Sequence, residues 1–169
     1  TNALALVGGW ELDLPADVLR WSTGTFRLHD LTPGAQPSLE QALGHYTPAS
    51  RAVLEPALAH ARSAGTPFDL DLTLVTAQGR EIEVHVTCQS DVEDGRVVRL
   101  IGAIQDVTRL RATDRALAEK HHLLDQLLQS TRQGFWFIDN QGIRNDLNPA
   151  MCELLGRPRE QILGRSVFE

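Results

Sequence analysis

Apolar and polar residues alternate with a period of two in Trp10-Glu11-Leu12-Asp13-Leu14. They do so again where Phe68, Leu70, Leu72 and Leu74 interleave with Asp69, Asp71 and Thr73. The pattern returns in Ile82, Val84, Val86 and Cys88 against Glu81, Glu83, His85 and Thr87. This period predicts half-buried strands, each with one wet face. Val18-Leu19-Arg20-Trp21, following the turn residues Pro15-Ala16-Asp17, reads as the returning strand of a hairpin. Val97 to Val107 is apolar on both sides around Leu100–Ile104, as a central strand should be, and Gln78-Gly79 and Asp94-Gly95 are the turns of a three-stranded meander.

Between the second and third strands the signals are helical. Ser22 is placed to cap a short helix over Thr23–His29 anchored by Phe26, and Ser38 stands three before Gln41, a capping-box spacing. Thr47-Pro48 opens a longer helix that runs to about Ala64, before Gly65, with Pro56 expected to bend it. Two strands, short helices and three more strands make an α+β fold, a five-stranded antiparallel sheet with helices on one face. Leu70, Leu72, Val84, Val86 and Ile104 should face those helices and form the core with Trp21 and Phe26.

No Pro or Gly interrupts the passage from Val107 into the run Arg109 to about Ser130, which predicts a strand fused to a long signalling helix. Leu110, Leu117 and Leu124 recur at seven-residue spacing, the seam of a short parallel coiled coil. Its middle is polar in either register, with Thr113 and Lys120 or Asp114 and His121 inside. Asp106, Val107 and Thr108 join sheet to helix, Thr108 as the expected N-cap and Asp106 as negative charge near the helix dipole's positive end. Movement of the strand must tilt or turn the helix, so the pattern describes a sensor and not an enzyme.

The chain's 169 residues, 42% apolar, suffice for a sizeable core. A formal charge of −6 with scattered basic residues excludes a nucleic-acid or anionic-membrane surface. Cys88 and Cys152 lack the spacing of a disulfide framework or zinc site, and the six histidines are scattered, so no metal site is expected. No run of 18 apolar residues and no signal peptide is present, which sets a cytoplasmic expectation. No nucleophile and base pair or phosphate loop is visible, so this chain is not expected to be catalytic. It begins without Met and stops at Glu169 inside an unfinished unit, as a piece of a longer protein would.

Gly8, Trp10 and Asp13 match Gly134, Trp136 and Asp139 at an offset of 126 residues, and Ser22 then falls on Asn148. The organisation expected is a flanking segment (1–7), a sensor domain (8–108), a linker helix (109–130) and the start of a second domain (131–169).

Gly8-Gly9-Trp10-Glu11-Leu12-Asp13, Pro48, Gly65-Thr66-Pro67-Phe68, Asp94-Gly95 and Gly102-Ala103-Ile104-Gln105-Asp106-Val107-Thr108 together resemble a PAS domain. Phe135–Asp139, Asn148–Cys152 and Leu155–Arg165 are similar to the start of a second one. The resemblance implies a bacterial-type signalling parent, foremost a sensor histidine kinase. The alternatives are a cyclic-dinucleotide synthase or hydrolase, such as a diguanylate cyclase, or a ligand-free dimerisation module. It implies as partners a second copy in parallel, an output domain of the same chain and an unidentified small molecule. Trp21, Phe26, Phe68 and Cys88 would line or fill a cavity between helices and sheet. His60 lies on the long helix, where haem-binding members carry their iron ligand, although a surface His is the plainer reading. The flavin sensors' Asn-Cys-Arg-Phe-Leu type motif is absent, and Cys88, alternating with Val84 and Val86, reads as a small buried hydrophobe. No cofactor is expected, haem and flavin being the readings that the resemblance leaves open.

Overall fold

The computed structural model describes residues 6–130 and 132–166, so the expectations for residues 1–5, 131 and 167–169 lie outside the described residues. The first strand, β1 (Val7–Asp13), already begins at Val7, earlier than its alternation predicts. The 1–7 segment is therefore not wholly a flank. Gly8 does not break the strand because it lies against the first turn of α1 (Thr23–Leu28), where a Cβ would collide with Thr25. After β2 (Val18–Trp21) and α1 come α2 (Leu39–Leu43) and α3 (Pro48–Ala64), then β3 (Phe68–Val75), β4 (Glu81–Glu93) and β5 (Arg96–Asp106).

The capping signals act as predicted: Ser22, Ser38 and Thr47 cap α1, α2 and α3, and Ser38 closes a full capping box with Gln41. Helix α3 runs continuously through Pro56 on its exposed side and ends at Gly65, whose φ of 69° needs no Cβ penalty.

The sheet order is β2-β1-β5-β4-β3, antiparallel throughout, with β5 in the centre as its two apolar faces require. Asp94 and Gly95 both have positive φ, 48° and 76°, the signature of the tight hairpin turn that matches strand twist. The exposed edge of β2 is closed by a side chain, since the Trp21 amide donates to Gln36 Oε1 at 2.6 Å and Gln36 Nε2 donates to the Trp21 carbonyl at 3.3 Å. On the wet face Glu11 links Arg20 and Arg99, and Arg99 reaches Asp91, an ionic row over four strands.

The core lies between the sheet and α1–α3. Leu72, Val84, Val86, Ile104, Trp21 and Phe26 are buried in it as expected, whereas Leu70 is half-buried at its edge. Fully burying one such aliphatic side chain stabilises by roughly 1.5–3 kcal/mol. Trp10 pairs with Gly102 across β1 and β5, and a Cβ at 102 would stand 2.6 Å from the indole, so this glycine makes room for the ring.

One compact unit ends at Arg111 and a second begins at Ala112. Helix α4 (Thr108–Ser130) starts one residue before the run that predicted it and has no buried residue. The second unit continues with β6 (Trp136–Ile138), β7 (Arg144–Leu147), α5 (Pro149–Leu155) and α6 (Arg159–Ile162).

The 126-residue offset is a repeat of geometry. The Gly9 amide donates to Ser22 Oγ at 2.9 Å and the Phe135 amide to Asn148 Oδ1 at 2.8 Å. Ser22 caps Thr25, Asn148 caps Met151, and a Cβ on Gly8 or Gly134 would meet Thr25 or Met151 respectively.

Candidate functional site

A cavity of about 50 Å³ lies between the sheet and α2–α3. Strands supply Trp10, Leu19, Trp21, Phe68, Val86 and Ile104, and the helical layer supplies Leu39, Ala42, Leu43, Tyr46, Leu54 and Leu58, with His29 just past the end of α1. His29 is 1% exposed and stacks on Trp21, ring centroids 4.2 Å apart; His45 meets it edge-on at 5.0 Å. Its Nδ1 is 2.8 Å from the Thr25 carbonyl oxygen, while Nε2 is buried with no partner among the described residues. Burial pushes the imidazole down to about 4, since a cation there would lose its water, and the same cause raises the Tyr46 phenol above its ordinary range. Trp10 Nε1 is likewise buried without a partner among the described residues. The site is thus an apolar hollow, and two of the side chains that line it carry a buried nitrogen without a partner among the described residues.

Of the five pocket candidates, Trp21 and Phe68 line this cavity. Phe26 and Cys88 are core residues outside the lining, Phe26 edge-on to Trp21 at 5.5 Å and Cys88 1% exposed with its thiol pushed up to about 11 by burial. His60 is corrected: it is exposed on α3, its Nδ1 2.8 Å from the Pro56 carbonyl, because the helix turns its Leu54, Leu58 and Ala61 face to the core. Sequence reasoning missed Trp10, His29 and Tyr46. Trp10 was legible, since its strand position shares a side with buried Leu12 and its partner is a glycine; nothing in the sequence marks a histidine at the end of a short helix as buried.

The cavity has about a third of the volume that admits a benzene ring, roughly 150 Å³, and the one histidine on the long helix points elsewhere. Among the described residues no group of three His, Cys, Asp or Glu is placed to hold a metal ion, and no helix is long and apolar enough to cross a membrane.

The join between sheet and helix is built differently from the N-cap expected at Thr108. Thr108 is the first helical residue, and its amide donates to Asp106 Oδ1 at 3.0 Å, so the aspartate does the capping. The Thr108 hydroxyl is free to bind β4 instead: Oγ1 accepts from the Glu83 amide at 2.9 Å and donates to the Glu83 carbonyl at 3.4 Å. Val107 adds its own amide to the same carbonyl at 2.9 Å. Arg111, one turn into α4, pairs with Asp71 on β3. Asp71 also accepts from His85, whose ring nitrogens lie 2.9 Å from Asp71 and 3.0 Å from Asp69, and these contacts, that of His85 first, hold the Asp71 carboxyl below its usual range. At the other end Asn148 Nδ2 donates to the Leu128 carbonyl at 2.8 Å. Along the helix Leu110, Leu117 and Leu124 are 62%, 54% and 51% exposed, so nothing within the described chain covers the heptad leucines.

A family model described as "PAS domain" matches residues 38–109, and one described as "PAS fold" matches residues 122–169. The chain is 24% identical over 164 residues to the probable diguanylate cyclase DgcE of Escherichia coli (strain K12), an alignment that takes in 96% of this chain and 15% of that protein. Among solved structures it resembles a sensory box histidine kinase/response regulator from Burkholderia thailandensis E264, with TM-score 0.58, 18% identity, and coverage of 72% of this chain and 92% of that one. It also resembles the N-terminal domain of a diguanylate cyclase with PAS/PAC sensor from Marinobacter aquaeolei, with TM-score 0.57, 15% identity, and coverage of 62% and 98%.

Proposed function

We infer that this chain, which belongs to the PAS domain family, is the cytoplasmic sensor and relay segment of a signalling enzyme, taking its input at the cavity and passing it through α4. The observation that carries this reading is the bare leucine stripe of a helix secured at its start to both β3 and β4. A 23-residue helix in water is stabilised mainly by covering such a stripe, and a second copy in parallel supplies the same stripe in register. The seam is polar in its middle, so the pairing is modest and able to shift. The output of the parent is a histidine kinase or a diguanylate cyclase; the alignment with a probable diguanylate cyclase runs through both units and the linker, while the fold is shared with proteins of both kinds and prefers neither.

The ligand-free alternative, a module that only dimerises, draws support from the small size of the cavity. Two buried hydrogen-bonding atoms without partners weigh against it, because a hollow that is simply filled leaves no such groups unanswered.

The test is light scattering of the chain and of its Leu117→Asp, Leu124→Asp variant at matched concentrations. The unaltered chain is expected to dimerise, and the variant to be a folded monomer, since like charges then face each other across the seam. A monomer at high concentration before substitution, or a dimer unaffected by it, would remove the relay from the reading.

A further inference from the structure

We propose that the second unit carries a phosphate-binding pocket, walled by Arg144, Arg157 and Arg165, that takes a small soluble phosphate monoester. This stands apart from the relay through α4 and from the cavity of the first unit. A pocket of about 250 Å³ is lined by these three arginines with Leu155, Gln161 and Ile162, and no Asp or Glu lines it. Cations that share one hollow repel each other, and a multivalent anion relieves them. A fourth arginine shows the contrast. Arg159 is answered by Asp146 at 2.5 Å and donates to the Leu147 carbonyl at 3.1 Å, whereas the other three side chains have no carboxylate partner among the described residues. Asp139, the other acid of the β6–β7 hairpin, is taken up by the Gln141 and Ile143 amides of its own turn.

Backbone pairing sets two of the arginines side by side. The Arg144 amide donates to the Arg165 carbonyl at 3.0 Å and the Gly164 amide to the Arg144 carbonyl at 2.9 Å, and the Arg144 guanidinium lies over the Trp136 ring, 4.9 Å from its centre. Arg157 follows Gly156, which ends α5 with a φ of 60°. The first unit shows that this framework does not require the charges. There Asp30 has a φ of 58° in the place of Gly156, and the Leu31 amide donates to the Phe26 carbonyl as the Arg157 amide does to that of Cys152. Val18 stands at the position of Arg144. Neither Val18 nor Leu31 lines the first unit's cavity, so the cationic side of the arginine pocket does not correspond to that cavity. Guanidinium forks grip phosphate oxygens in pairs, Gln161 can bond a hydroxyl, and Leu155 and Ile162 give a short carbon chain an apolar wall. The volume is just under the usual span of small-molecule sites, about 300–1,000 Å³, which suits one phosphate on a few carbons.

The experiment is an NMR titration of the whole chain with glycerol 3-phosphate, inorganic phosphate and glycerol, at constant ionic strength in a phosphate-free buffer. Glycerol 3-phosphate is expected to bind saturably and to shift the resonances of Arg144, Arg157 and Arg165, and glycerol not to bind. Inorganic phosphate should bind at least about fourfold more weakly, the worth of one buried methylene. Arg157→Gln and Arg165→Gln, both at exposed positions, should each weaken glycerol 3-phosphate about tenfold, the loss of one charge-assisted pair. Arg27→Gln, at an exposed position of the first unit, should leave its binding unchanged. Absence of saturable shifts, or equal weakening by all three substitutions, would overturn the site. Inorganic phosphate binding as tightly as glycerol 3-phosphate would overturn the monoester. Sedimentation with phosphatidylcholine vesicles containing phosphatidic acid, in the absence of any response to glycerol 3-phosphate, would give the arginines to a membrane surface and overturn the soluble ligand.

Discussion

Protonating His29 would put a cation between Trp21 and the apolar lining of the first unit, which ties folding to pH. Its folded value of about 4 lies below the ordinary 6.5, so the stabilisation is complete above about pH 6.5. Between those values the unfolded chain takes up a proton that the folded one refuses, and stability falls with pH at up to about 1.4 kcal/mol per unit. Nearby His45 acts in the same direction and Asp30 against it, although Asp30 is engaged by Arg80 at 2.7 Å. Urea unfolding at pH 7 and pH 5 should therefore differ by about 2 kcal/mol more in the unaltered chain than in His29→Leu; equal differences would contradict the assignment. A second residue with a sharp expectation is Gly102. An alanine there would press on both the Trp10 indole and the Thr87 carbonyl, and Gly102→Ala should lose about 3 kcal/mol in the same measurement.

Among the elements, the strands and their faces were legible because a period of two leaves one register that buries Leu72, Val84, Val86 and Ile104 together. Caps and turns were legible because Ser22, Ser38, Thr47 and Asp94-Gly95 act through their immediate neighbours. The cavity was half legible. Trp21 and Phe68 carry the apolar signal, whereas the burial of His29 depends on how α1 and α2 close over β2, which no local pattern encodes. The junction was misread at one atom: Thr108 follows an aspartate able to cap in its stead, and only pairing of β4 with β5 brings Glu83 beside it. Removing that hydroxyl should loosen the element and not the fold. Thr108→Val is expected to leave the sheet intact while amide exchange over the first turn of α4 speeds up about fivefold, the loss of roughly 1 kcal/mol.

For the whole molecule the repeated clasp matters most. Asn148 uses its side chain fully, accepting from the Phe135 and Met151 amides and donating to the Leu128 and Gln133 carbonyls at 2.8–3.1 Å. Ser22, its counterpart, is exposed and has only a hydroxyl to offer. Ser22→Ala should cost about 1 kcal/mol, and Asn148→Ala about 2 kcal/mol because the buried amide side chain answers four backbone groups at once. Hydrogen exchange should show the second loss confined to residues beyond Ala112. Spread of that loss into β1–β5 would mean the units do not melt separately.

A helix gripped by side chains near both of its ends behaves as a shaft whose length sets a phase. Each residue added to α4 turns its far end by about 100° and advances it by about 1.5 Å. Insertions of seven return the Leu128 carbonyl to nearly the same azimuth, about 20° short of two full turns, whereas insertions of three or four leave it near one full turn but strip the leucines of their spacing. In a parallel pair, length variants of this segment would therefore sort by remainder modulo seven.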